Sequence, residues 1–357
     1  MTNKTTTDVI VIGAGITGLA TAHFLERKGI STRVLEKENR VGGTIRTDRL
    51  DGFMIEYGPN NALDVSPVLH ELFESAGLMG KLEYANDKSQ NRYIVRGGRL
   101  INLPMSPLAF LKTPLFSASA KLRLLKEPFI AASDPSSDES LAEFVRRRIG
   151  DEFLDYAINP FVAGVYAGDP DTLSVRSGFP KLFELEQQYG SLIKGTIQGA
   201  KERKKKKETS KQNARLFSFS DGMQTMTDAL CALRPDTVHT GIHIESIGKD
   251  ADGFAVRVRL NGGSTEFRSR KLVIAVPSHA YGELDFKFEF PLRGQLDRIY
   301  YPPVAEVFFG YRSNPSPTPL DGFGFLVPKK ENRQILGTIW SSILFPGRAP
   351  AGGVALT

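Results

Sequence analysis

The sequence has 357 residues, enough for two or three domains at about 150 residues each. Hydrophobic residues make up 41% and charged residues 24%, which excludes wholesale disorder, and the single cysteine, Cys231, excludes an intramolecular disulfide or a cysteine-built zinc site. The net charge of +6 is local: Lys201, Arg203, Lys204, Lys205, Lys206, Lys207, Lys211 and Arg215 crowd one stretch against only Glu202 and Glu208. Such a run reads as a solvated loop or as an attraction to anionic lipid. No recognition motif for nucleic acid accompanies it, so nucleic acid is not an expected partner. No apolar run approaches the ~18 residues of a transmembrane helix, and residues 1–7 are short and polar, so an uncleaved cytoplasmic chain is expected.

Residues 8–12, apolar and β-branched after Asp8, read as a buried parallel strand. They run into Gly13, Gly15 and Gly18, then into a helix with apolar residues at Ile16, Leu19, Ala20 and Phe24 that ends at Lys28 and Gly29. A second strand, 31–35, finishes on Glu36. This is a dinucleotide-binding fingerprint in its full context of strand, glycine turn, helix, strand and acid. Gly13 permits the turn, Gly15 lets backbone approach a pyrophosphate, and Gly18 lets helix and strand pack closely. The helix N-terminus offers free N–H groups to phosphate, and Glu36 can accept hydrogen bonds from a ribose diol.

Arg40, Gly42, Gly43 and Arg46 follow within one short loop: two more close backbone approaches and a fixed cation. This segment resembles the double-glycine segment of the flavin amine oxidase and protoporphyrinogen oxidase superfamily, whose cofactor is FAD. Asp51 and Gly52 predict a hairpin, and the following Gly58, Pro59 and Asn60 match the loop that passes beside the flavin in that superfamily.

Residues 89–99 read as a strand and turn. Beyond them Leu108, Phe110, Leu111, Leu115, Phe116, Leu122, Leu124 and Leu125 alternate with Lys112, Lys121, Arg123 and Lys126, broken into short helices by Pro107, Pro114 and Pro128. Two readings stay open for these helices: one face buried in a membrane interface, or packing on the protein's own core. Strands are expected at 253–260 and 272–277.

The segment 159–170, from Asn159 through Phe161 and Gly164 to Pro170, resembles a signature of protoporphyrinogen oxidases. Further blocks at 173–174, 179–180, 185–186, 217–219, 222–225, 320–324 and 336–342 extend the resemblance over nearly the whole chain. It implies an α/β fold in which an FAD-binding Rossmann-like domain is assembled from discontinuous segments, with a mixed-sheet substrate domain and an inserted helical membrane-binding domain. The expected boundaries are 1–85 and 221–278 for the FAD-binding pieces and 86–195 for the helical insertion. Residues 196–220, with the basic loop, and 279–357 belong to the substrate domain.

The implied reaction is the six-electron oxidation of a porphyrinogen by FAD and dioxygen, releasing hydrogen peroxide. The flavin carries the chemistry, so no side chain is expected to be catalytic, and no metal-ligand cluster or nucleophile array is legible. His23, His70, His239, His243 and His279 read as structural. By motif, Arg92 is the expected propionate anchor. Phe161, Gly164, Val304, Leu320 and Trp340 are expected to line the substrate slot, and Asn60 to face substrate near the flavin. Ile244 completes the expected FAD contacts. Trp340 stands where phenylalanine is more usual.

Three alternatives stay open: a coproporphyrinogen III oxidase, another flavin amine oxidase-like enzyme, and an inactive FAD-binding fragment. A peripheral membrane site and a homodimer are compatible with the sequence. The resemblance implies a further C-terminal segment, with a glycine-bearing turn and a helix directed at the flavin, beyond Thr357. The chain as given is therefore expected to bind FAD weakly or not at all and to have little oxidase activity.

Overall fold

The computed structural model describes residues 6–206, 214–260 and 262–357. Of the basic run, Lys207 and Lys211 lie outside the described residues, as do the side chains of Lys201, Arg203, Lys204, Lys205 and Lys206. The chain forms two compact units, each discontinuous in sequence: Met1–Tyr84 with Arg215–Tyr301, and Ala85–Ala214 with Pro302–Thr357.

The first unit is built on a six-stranded sheet in the order Val238–His239, Thr32–Leu35, Thr6–Ile12, Gly263–Ile274, Gly253–Leu260, His243–Asp250. The first four strands are parallel and the last two antiparallel. The strand Thr6–Ile12 sends Val9 and Val11 into one core cluster and Ile10 and Ile12 into the other. That is the period of two of a strand covered on both faces, which is why Val9, Ile10, Val11 and Ile12 are all apolar.

One expectation is corrected here. Residues 272–277 do not form a separate strand. A single twelve-residue strand, Gly263–Ile274, pairs antiparallel with Gly253–Leu260 through its first half and parallel with Thr6–Ile12 through its second. The charged residues Arg268, Arg270 and Lys271 interrupt the apolar pattern and hide this continuity, because that part of the strand is only partly covered.

The helix Ile16–Glu26 packs on this sheet. A hairpin of Thr47–Leu50 and Phe53–Glu56 turns at Asp51 (φ 52°) and Gly52 (φ 84°), as the Asp-Gly pair predicts. A small sheet of Ala62–Leu63, Leu216–Phe219 and Leu82–Tyr84 covers Phe73, which meets Phe217 and Phe219 edge to face at 5.2 and 5.4 Å.

The second unit combines a four-stranded sheet with a group of helices. The sheet order is Gly337–Ile339, Gly324–Leu326, Arg92–Arg96, Arg99–Asn102. The helices bury Phe116, Leu141, Phe144, Val145, Phe153 and Val162 in a common core. Before Pro160 the chain takes a π-helical turn, Leu154–Ile158, and then continues as the helix Asn159–Tyr166. Proline has no N–H to give the preceding turn, and widening that turn lets the helix run on. In the 107–126 stretch, one set of side chains packs on the protein's own core. Leu115, Phe116 and Ala120 are buried, while Leu108, Leu111, Leu122 and Leu125 are more than 60% exposed.

Candidate functional site

The turn after Thr6–Ile12 forms a backbone cradle. Gly13 has φ +99°, and a side chain there would meet the Ala275 carbonyl at 2.8 Å. A side chain at Gly18 would fall 1.9 Å from the Gly13 carbonyl oxygen, so the protein itself requires both glycines. Gly15 differs. It adopts ordinary extended geometry (φ −67°, ψ 174°), and a Cβ there would meet nothing within 4 Å. It is the N-cap of Ile16–Glu26, and no side chain caps that helix. The space in front of Gly15 and the uncapped N–H groups suit an anion that must come within backbone distance.

Glu36 is held at the end of Thr32–Leu35 by two backbone donors, Ala14 N–H at 2.6 Å and Glu38 N–H at 2.9 Å, one to each carboxylate oxygen. Each oxygen keeps acceptor capacity for a hydroxyl. The second glycine loop lies against the first. Gly42 N–H donates to the Ala14 carbonyl at 2.9 Å, Gly15 and Gly42 form a parallel bridge, and a Cβ on Gly43 would stand 3.5 Å from Gly15 Cα.

Arg40 braces this loop: its guanidinium donates to the carbonyls of Val41 and Ile45 at 3.1 Å and of Gly43 at 2.6 Å. Arg46 pairs with Asp48 at 2.7 Å and lies over the Tyr57 ring at 4.4 Å. Gly58 passes so close to Thr44 that a Cβ would meet the Thr44 carbonyl at 2.2 Å. After Pro59, Asn60 is nearly buried, and its amide donates to the Gly58 carbonyl at 3.4 Å. Ile244 lies on His243–Asp250 opposite Val258, half-buried against the second core cluster of this unit.

Glu56 is a residue that sequence reasoning missed. Buried at the end of the hairpin, it accepts from Met223 N–H at 3.0 Å and from the Thr47 hydroxyl at 2.6 Å. Thr47 and Gln224 exchange two further hydrogen bonds at 3.1 Å. These contacts tie the 222–225 block to the loop that carries Arg46. Nothing local in the sequence announces them.

The expected substrate residues, apart from Asn60, all fall in the second unit. Arg92 begins the strand Arg92–Arg96 with its side chain exposed, and its guanidinium carbon lies 5.6 Å from the Phe323 ring centroid. No carboxylate pairs with Arg92 among the described residues, whereas Arg96 is neutralised by Glu152 at 2.5 Å. Tyr93, on the opposite face, donates its hydroxyl to Asp321 at 2.7 Å. Burial, with help from that carboxylate, pushes the Tyr93 phenol up to about 12, so it stays a donor.

Leu320 is half-buried beside Asp321. Phe161 is 41% exposed on Asn159–Tyr166, and one turn on, Gly164 admits Leu326 so closely that a Cβ would lie 2.3 Å from its methyl. Val304 is exposed in a segment without helix or strand. Trp340, expected to line the slot, sits deeper than the others. It is only 3% exposed and packed on Tyr93 at 5.7 Å and Phe325 at 6.5 Å, and its backbone N–H donates to the Phe323 carbonyl at 2.9 Å.

Residues 16–357 match the family model for flavin-containing amine oxidoreductases. The chain belongs to that family. Among its curated relatives is protoporphyrinogen oxidase 2 of Arabidopsis thaliana, 32% identical over 374 residues, covering 96% of this chain and 72% of the relative. Coproporphyrinogen III oxidase of Bacillus subtilis is 30% identical over 363 residues, covering 98% and 76%. A solved structure from Exiguobacterium sp. 255-15 superposes with a TM-score of 0.76 at 22% identity, over 98% of this chain and 76% of that one. The fold is thus the mixed α/β fold of flavin amine oxidases, and the protein is an oxidoreductase. Its cofactor is FAD. The cradle at Gly15, the second loop at Gly42 and the fixed carboxylate of Glu36 fit the pyrophosphate and ribose of such a dinucleotide. Among the described residues no helix is long and apolar enough to cross a membrane.

Proposed function

We propose that this chain oxidises protoporphyrinogen IX to protoporphyrin IX, losing six electrons and six protons in three two-electron steps while three dioxygen molecules become hydrogen peroxide. The observation that carries the reading is Arg92, an exposed guanidinium that has no carboxylate partner among the described residues, set on a strand beside an aromatic ring. A flat macrocycle with two propionates calls for such an anchor, since a planar guanidinium can hold a carboxylate through two hydrogen bonds. The names of the Arabidopsis relatives point to the same substrate.

Bound FAD supplies the hydride acceptor and passes the electrons to dioxygen. The residues of the chain position and shield. Gly15, Gly42, Gly43 and the N-terminus of Ile16–Glu26 would hold the pyrophosphate, Glu36 would hold the ribose, and Ile244 would contribute an apolar contact to the dinucleotide. The Gly58–Asn60 loop, with Pro59, would contribute to the flavin end of the site. Arg46 adds positive charge near the phosphates, and Arg40 keeps the loop in shape. Phe161, Gly164, Leu320 and Val304 form the apolar surroundings of the macrocycle, with Trp340 stiffening them from behind. The adjacent pyrrole nitrogens stabilise the cation left by hydride loss, so no catalytic acid is required.

In this reading the first unit is the FAD-binding domain, and the second joins a substrate-binding sheet to a helical membrane-binding insertion. Leu108, Leu111, Leu122, Leu125 and Phe129 are strongly exposed near Lys112, Lys121, Arg123 and Lys126, a composition that supports peripheral attachment to an anionic lipid surface. The Bacillus relative supports a second reading, coproporphyrinogen III as substrate. Anaerobic addition of each porphyrinogen to the FAD-loaded protein tests both. Flavin bleaching with porphyrin fluorescence is expected for protoporphyrinogen; a flavin that stays oxidised with both substrates overturns the proposal.

A further inference from the structure

The loop Leu320–Phe323 is bolted to the start of the strand Arg92–Arg96 by three contacts. Tyr93 donates its hydroxyl to the Asp321 carboxylate at 2.7 Å, the Asn91 amide donates to the Asp321 carbonyl at 2.8 Å, and Phe323 N–H donates to the Asn91 carbonyl at 2.8 Å. Gly322 lies flush between them: a Cβ there would meet the Asn91 carbonyl at 2.6 Å and the Tyr93 ring at 3.0 Å. The strand then continues in parallel register, Arg92 opposite Gly324 and Tyr93 opposite Phe325. The loop presents Phe323 to the guanidinium of Arg92 on one face, while Tyr93 anchors it from the other.

We propose that Tyr93 and Asp321 are positioning residues for Arg92. They hold the Phe323 loop so that the guanidinium stands in one orientation, ready for a carboxylate. The proposal rests on the porphyrinogen reading above and adds the group that sets the anchor's geometry. A long arginine side chain loses substantial rotamer freedom when it binds. An aromatic platform fixed by a half-buried tyrosine–carboxylate hydrogen bond removes part of that loss beforehand, and the benefit reaches only ligands that carry a carboxylate.

The test uses the whole chain and the porphyrin itself, so flavin content does not enter. Titration with protoporphyrin IX and with its dimethyl ester, followed by fluorescence, gives affinities for wild type, Tyr93→Phe, Asp321→Ala, Asp321→Asn and Arg92→Ala. Tyr93→Phe and Asp321→Ala are expected to weaken the diacid about three- to tenfold and leave the diester unchanged. Asp321→Asn, which keeps an acceptor for the phenol, should largely restore binding. Either loss combined with Arg92→Ala should be no worse than Arg92→Ala alone. Equal weakening of diacid and diester, or losses that add fully to Arg92→Ala, would overturn the positioning role while leaving the anchor intact. If Arg92→Ala itself binds both ligands like wild type, the anchor reading fails and this inference falls with it. Tyr93→Phe retains the ring packed on Trp340, so the result does not hang on the survival of the alanine variant.

Discussion

The guanidinium of Arg148 and the carboxylate of Glu186 meet inside the second unit with neither side chain exposed to solvent. Arg148 also reaches Glu127, another fully buried carboxylate, at 3.2 Å, and the carbonyls of Ile130 and Gly190 at 2.9 Å. Glu127 accepts from Ser191, Leu192 and Ile193 at the start of the helix Leu192–Lys206, where an anion is favoured. Glu186 accepts from Arg147 and Ser133 as well. Burial alone would raise the Glu186 carboxyl, but the bonds from Arg147, Ser133 and Arg148 outweigh it and hold the group at about 2.

Removing Arg148 or Glu186 leaves the buried charges that remain with part of their partners lost. Arg148→Ala and Glu186→Ala are each expected to destabilise the protein by about 3–5 kcal/mol, read from urea midpoints. A change below ~1 kcal/mol would show that water reaches the cluster.

The same carboxylate makes stability depend on acid. The folded value of Glu186 lies below its ordinary one, so its contribution is full above about pH 4.5 and is lost as pH falls toward 2. The midpoint of Glu186→Gln should therefore change less between pH 5 and pH 3 than that of the wild type. Parallel curves would assign acid sensitivity to other carboxylates.

His23 acts in a higher window. Burial first, then the charges of Arg234 and Arg27, lower its basicity, against the opposing charges of Glu26 and Glu71. Arg234 donates to Nδ1 at 2.6 Å, which leaves Nε2 to donate to Ser75 at 2.7 Å, the neutral tautomer. Because its folded value is depressed, the stability it contributes is present above about pH 6.5 and lost as pH falls below that. Melting temperatures should drop between pH 7 and pH 5, and His23→Gln should flatten that slope.

Gly15→Val separates folding from cofactor binding. The Cβ meets no protein atom within 4 Å, so the far-UV spectrum and melting temperature of the flavin-free protein should be unchanged. The branched side chain would fill the place of the pyrophosphate, and flavin content should fall to background. Normal flavin absorbance in this variant would remove the cradle from the site.

Arg92→Ala should raise KM for protoporphyrinogen about tenfold with a smaller change in kcat, since a charge-assisted pair of ~1.5–3 kcal/mol contributes mainly uniform binding. Unchanged kinetics would exclude Arg92 as anchor.

Replacing Leu108, Leu111, Leu122 and Phe129 together by serine should abolish flotation with anionic liposomes and leave the melting temperature near that of the wild type, because these side chains are exposed. Absence of wild-type flotation at low salt would refute the lipid surface.

The dinucleotide cradle and the family were legible in the sequence because their information is local. Gly18 is dictated by the Gly13 carbonyl five residues back and Gly13 by the positive φ of the turn itself, although the Ala275 carbonyl across the sheet also excludes a side chain there, and Glu36 closes the same strand–helix–strand unit. A turn of that kind has few solutions, so spacing alone specifies it. What the tertiary structure decided is long-range. Tyr93 and Asp321 are 228 residues apart, and Glu56 reaches Met223 across 167. Arg40 carries the same charge whether it meets a phosphate or braces a loop, and only the loop's path chose the carbonyls. Likewise nothing in the sequence marks Glu127, Arg148 and Glu186 as partners until the fold buries them together. Polar side chains carry no periodic signature of their partners, so their roles were settled only when distant segments came into contact.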